Sequence, residues 1–185
     1  MSTLSTQKTI EKYFSSTVQA VGDLYEKELY GPALVVAYSA MDTLGILDAP
    51  TDAVVPAGVS FKNWATKYYL KQESINFSAV DLWAARCAVL HTSTSESDLS
   101  RAGKAKQLQY YNGDSSHPIA REFVARVQKV GGGEHIAVNF LDLFSALVSA
   151  MNEFAPKLFE KCERDPASAA RLRKVLQLHV MPATL

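Results

Sequence analysis

The chain is predicted to fold as a single, mostly α-helical domain, a helical bundle with a small β-hairpin excursion. Three observations carry this expectation. Apolar residues recur at spacings of three and four along several long segments. Residues suited to starting and stopping helices stand at the ends of those segments. No internal repeat, low-complexity tract or linker divides the 185 residues, of which 48% are apolar, enough to bury a core without staples. One domain over 1–185 follows, with a core over about 6–163 and a C-terminal helix over about 166–180.

Ile10, Tyr13, Phe14, Val18, Val21, Leu24, Tyr25 and Leu29 mark a long amphipathic first helix, with Ser5 or Thr6 as its N-cap. Gly31-Pro32 punctuates the chain. With Pro32 at the first helical position, a second helix runs to about Leu47, apolar nearly all round and carrying Asp42 as its only charge. A Pro/Ala/Asp segment from Asp48 to Gly58 reads as loop, and Phe61 to Leu70 as a short third helix. Ser78, with Asp81 three residues on, suits the cap of the next helix, which ends near His91.

The Ser/Thr-rich run after His91 predicts an exposed loop, and Lys104 to Tyr111, ending in Asn112-Gly113, a strand or hairpin arm. Ile119 to Val130 fits a helix, though its valines also fit a strand. Gly131-Gly132-Gly133 breaks the chain, Glu134 to Val138 is extended, and Asn139 with Asp142 opens a long helix to about Cys162. Asp165-Pro166 begins the last helix.

Composition narrows the function. Nineteen basic and nineteen acidic residues leave no net charge and so no global field to gather polyanions. Arg101, Lys104 and Lys106 form the one short basic cluster, placed either to track an RNA backbone or to lie as a solvated loop. Cys87 and Cys162 both fall in apolar helical patterns, which suits reduced thiols in the cytoplasm. The first residues lack a signal-peptide pattern, and no apolar stretch is expected to reach the roughly 18 residues of a membrane span. A soluble, cytoplasmic protein without membrane contact is the expectation.

The segment Asp81-Leu-Trp-Ala-Ala-Arg-Cys-Ala-Val-Leu-His-Thr92 is where function is sought, because an apolar helix here carries Arg86 and His91. Burying a guanidinium costs several kcal/mol, in order of magnitude, unless it is paired or faces a polar cleft. Over five residues a helix turns by roughly 140° net and rises about 7.5 Å, within reach of a long arginine side chain. One reading pairs Arg86 with Asp42 or Asp81 as a structural bridge and has His91 cap carbonyls at the helix end. The other gives the two residues one chemical site.

This segment, preceded by two apolar helices and followed by a Ser/Thr loop, resembles the HEPN superfamily, helical domains marked by Arg, four to six residues, then His. The likeness extends to Phe61-Lys-Asn-Trp and to Val138-Asn-Phe-Leu-Asp-Leu-Phe, about residues 31 to 150, with Arg86 to His91 as its specific part. The resemblance implies a helical homodimer in which two copies of the motif face one cleft, acting as a metal-independent endoribonuclease, including toxin and defence roles with an antitoxin or regulatory protein partner. Carried over, Arg86 and His91 are the catalytic pair, Asp42 and Thr92 supporting residues. RNA supplies the 2′-hydroxyl nucleophile, His91 moves protons near neutrality and Arg86 binds phosphoryl oxygens. Active members commonly carry Asn, Asp or His directly after the arginine, where this chain has Cys87. The alternative is therefore a non-catalytic module of the same fold that binds nucleotide or protein.

Other constellations are weak. His91, His117, His135 and His179 are scattered and no Cys-x2-Cys or His-Glu-x2-His occurs, so neither a metal nor a cofactor is expected. The triple glycine lacks the Lys-Ser/Thr of a phosphate loop. Tyr110-Tyr111 suits either stacking on bases or packing on the core.

Overall fold

In the computed structural model of the chain, residues 3–175 are described. Helix α1, Thr3–Glu26, starts ahead of the expected caps, so Ser5 and Thr6 lie inside its first turns. Its end is closed by Glu28 in the left-handed region (φ 58°), with Glu28 N donating to Tyr25 O and Leu29 N to Leu24 O. Helix α2, Tyr30–Asp48, begins two residues before Pro32, whose missing N–H still falls in the first turn, where none is needed.

Helix α2 is the centre of the bundle. Ala33, Leu34, Ala37, Tyr38, Met41, Leu44 and Leu47 are buried in it, against α1 and the helices that follow. By length and composition it is long and apolar enough to cross a membrane, which the sequence reading did not expect of any segment. Half of that stretch is buried inside the protein, and its one internal charge is held in an ion pair. An apolar surface all round is also what a core helix requires.

Helix α3, Ala57–Trp64, runs on into a π-helical turn, Ala65–Tyr69. The expected helix over Phe61 to Leu70 is thus part α and part π, and it begins earlier. The wider turn accompanies complete burial of Tyr68 and Tyr69, with Tyr69 Oη donating to Leu143 O at 3.1 Å. Gly45 is the reason α3 can lie so close to α2: a Cβ there would stand 2.9 Å from backbone atoms of Phe61.

Helix α4, Ala79–Thr92, opens on a full capping box, in which Ser78 Oγ accepts from Asp81 N and Asp81 Oδ2 accepts from Ser78 N. A short α5, Asp98–Arg101, precedes β1, Gln107–Tyr111. Helix α6, Pro118–Val127, resolves the ambiguous stretch in favour of helix, its amphipathic pattern burying Ala120 and Val127. Strand β2, His135–Asn139, then pairs with β1 in parallel, Gln107 opposite His135 through Tyr111 opposite Asn139.

The β excursion is therefore not a hairpin. Asn112-Gly113 leads into a helical crossover rather than a tight turn, and a parallel pair requires such a connection. Asn139 caps α7, Phe140–Arg164, by accepting from Leu141 N. Asp165 caps α8, Pro166–Arg173, accepting from Ala167 N and Ser168 N. The C-terminal helix expected over about 166–180 is shorter and ends at Arg173, with Lys174 as its C-cap; positions 176–180 of that expectation lie outside the described residues. Where α2 ends, Lys161 Nζ donates to the carbonyls of Leu47, Asp48 and Ala49, satisfying groups a helix end leaves open.

Candidate functional site at the end of α4

Arg86 and His91 meet. The Arg86 side chain leaves α4 toward α2, where Nε lies 2.8 Å from Asp42 Oδ2 and Nη2 2.5 Å from the same oxygen, a side-on fork across 44 positions of sequence. Its remaining nitrogen, Nη1, stands 3.1 Å from His91 Nε2. Guanidinium nitrogens only donate, so this contact makes Nε2 the acceptor and puts the imidazole proton on Nδ1. The guanidinium also lies 4.9 Å from the centre of the Trp83 ring, one helical turn back. Trp83 is held in turn by Phe61, at 5.3 Å between ring centres, and by Gly58, where a Cβ would come within 2.9 Å of the indole.

The pair is only partly removed from water, with the Arg86 side chain 16% and the Asp42 side chain 20% exposed. Burial works against the Arg86 charge, yet the Asp42 carboxylate outweighs it and holds the guanidinium pKa above its ordinary value. Burial also pushes the Cys87 thiol up, which the neighbouring Arg86 charge only partly offsets, so Cys87 stays a neutral thiol near pH 7. His91 is exposed on the last turn of α4. One guanidinium thus has a fixed side, bound to Asp42, and an open side shared with an accessible imidazole.

The partner of Arg86 is Asp42 and not Asp81. Asp81 is occupied by its own helix cap and by Lys106 N, which donates to Oδ1 at 2.7 Å. Thr92 is next to His91 in sequence, but its hydroxyl donates to Ala88 O at 2.8 Å and meets Thr94 Oγ1 at 2.7 Å, outside the Asp42–Arg86–His91 set. The basic cluster is largely neutralised. Arg101 pairs with Asp98 and Glu96, Lys106 with Glu134 at 3.1 Å, and exposed Lys104 alone of the three has no ion-pair partner among the described residues. Glu134 lies beyond the glycine turn, so sequence distance hid that pairing.

Trp83 was missed as a site residue, although its position three before Arg86 on one helix is the available signal. Among the described residues no three His, Cys, Asp or Glu groups are placed to hold a metal ion, and Cys87 and Cys162 are free thiols. No protein family, curated protein or solved structure matches the chain.

Proposed function

We propose that the chain is a HEPN-type endoribonuclease that cleaves RNA without a metal ion and works as a cytoplasmic homodimer, in a toxin or defence setting. The observation that carries this reading is the 3.1 Å contact between Arg86 Nη1 and His91 Nε2, on an arginine already oriented by Asp42. Arginine and histidine at the two ends of a helix segment form one accessible unit, as the chemistry needs.

The reaction follows from those groups. A phosphate oxygen of RNA competes with His91 for Nη1–H and draws the guanidinium to itself, which frees the Nε2 lone pair. His91 then accepts the proton of the 2′-hydroxyl as its oxygen bonds to phosphorus. The bond to the 5′-oxygen breaks as that oxygen takes the proton held by the His91 imidazolium, leaving a 2′,3′-cyclic phosphate, a 5′-hydroxyl and a neutral imidazole. Charge gathering on the phosphoryl oxygens is met by Arg86. A chelator leaves this sequence of steps intact.

The test is incubation of the purified chain with RNA in chelator, beside His91→Ala and Arg86→Ala. Cleavage to cyclic-phosphate ends by the wild type alone is the expected result; intact RNA, or equal cutting by all three proteins, overturns the reading. A second reading, a non-catalytic module of the same fold that binds nucleotide or a protein partner, is favoured by Cys87, a weak hydrogen bonder at the position after Arg86. Intact RNA together with capture of nucleotide would support it.

A further inference from the structure

A cavity of about 500 Å³ opens beside the motif, between the first turn of α2, the Ser93–Ser95 loop that follows α4, and β1. Its size lies in the range of small-ligand sites. Pro32, Leu34, Val35 and Val89 make its wall mainly apolar, and Tyr110 contributes an aromatic ring whose hydroxyl is already spent on Tyr38 at 2.6 Å. The polar groups are few and adjacent. Gln109 Nε2 donates to Ser95 Oγ at 3.2 Å and faces His135 Nδ1 at the same distance, which fixes the carboxamide.

That arrangement leaves a specific pair of groups unused. Gln109 Oε1 has no hydrogen-bond partner among the described residues, and the Ser95 hydroxyl accepts from Gln109 while its own proton remains available. An acceptor and a donor therefore stand beside one another on a mainly apolar wall that Ser93 and Thr94 also line. Their complement is a flat ligand with neighbouring donor and acceptor atoms on one edge, and the amide-like edge of a nucleobase is such a ligand. Ser93, with no side-chain hydrogen bond among the described residues and in the left-handed region at φ 53°, is two residues from His91.

We propose that this cavity seats one unpaired nucleobase of the strand whose phosphate lies at Arg86 and His91. The inference rests on the ribonuclease reading for the identity of that strand, while the binding of a base depends on the cavity alone. Gln109 and Ser95 read the base edge, Tyr110 and the aliphatic wall take its faces, and the α4 end connects base to phosphate.

The probes are the four nucleoside 3′-monophosphates, with inorganic phosphate as the control, titrated into the full chain by calorimetry. Variants are Gln109→Leu, which removes the acceptor, and Val35→Trp, which fills the cavity from a residue 39% exposed and so tolerant of size; circular dichroism checks that each folds. The expected result is saturable binding with a preference among the bases, weakened about tenfold or more by either variant. Binding equal to that of inorganic phosphate, or unmoved by both variants, overturns the proposal even if RNA is cleaved. Base-dependent binding with no cleavage upholds the cavity and removes the nuclease reading.

Discussion

Asp42 on α2 and Arg86 on α4 form a side-on ion pair, the carboxylate accepting from Nε and from Nη2 of the same guanidinium. With both side chains mostly buried, loss of one partner strands the other. Asp42→Asn is expected to lower stability by about 1–3 kcal/mol, less than for a fully buried pair because some water still reaches it. Urea unfolding measures this. The same substitution is expected to slow RNA cleavage through turnover more than through substrate affinity, since Arg86 would keep its charge and lose its aim.

Cys87→Asn tests the position at which the proposed HEPN reading calls for Asn, Asp or His. A carboxamide beside Arg86 offers a donor and an acceptor where the thiol offers neither well. Cleavage of RNA in chelator is expected to rise by about tenfold, within the scale of a single added polar group at a reacting centre. An unchanged rate would mean that the thiol position does not limit the reaction.

Two glycine replacements are expected to act in opposite directions. Gly45→Ala places a methyl group 2.9 Å from the Phe61 backbone, which cannot move aside as a side-chain tip would, and overpacking of about 1–3 kcal/mol outweighs the better helix propensity of alanine. Gly22→Ala in α1 meets nothing within 4 Å among the described residues and is expected to stabilise by about 0.5–1 kcal/mol. Thermal midpoints shifting the same way for both would contradict the close approach of α2 and α3.

Alkaline pH is expected to unfold the protein through its buried tyrosines. Burial raises the pKa of Tyr38, Tyr69 and Tyr110 above the ordinary 10.0, with Tyr110 adding to the shift of the first two. An acid whose folded pKa exceeds its unfolded one is fully stabilising below the unfolded value. Its contribution is lost as the pH climbs from there toward the folded value, because only the unfolded chain releases the proton. Stability should therefore fall once the pH passes about 10, with tyrosinate absorbance appearing together with loss of helix rather than before it.

Much of the fold was legible because its determinants are local. Ser78 with Asp81, Asn139, and Asp165-Pro166 each announce a helix start by residue type and spacing, and each caps one in the structure. The β pairing was not legible in the same way. Asn112-Gly113 is a hairpin signal within a short window, whereas the parallel register of Gln107 with His135 depends on a crossover that no short window contains. The π-helical turn at Ala65–Tyr69 depends on what Tyr68 and Tyr69 pack against. At the site, the Arg86–His91 spacing was visible, while the choice of Asp42 over Asp81 turned on Asp81 being engaged elsewhere.

That engagement reaches further than the site. Asp81 accepts from Ser78 N and Oγ at one oxygen and from Lys106 N at the other, so a single carboxylate joins the start of α4 to the approach to β1. The first contacts can form as soon as the helix nucleates; the last waits until a segment 25 positions away has arrived. Completion of the cap is thereby tied to assembly of the sheet. Amide hydrogen exchange in the first turn of α4 should accordingly report the docking of β1, making this small junction an internal gauge of whether the two halves of the chain have come together.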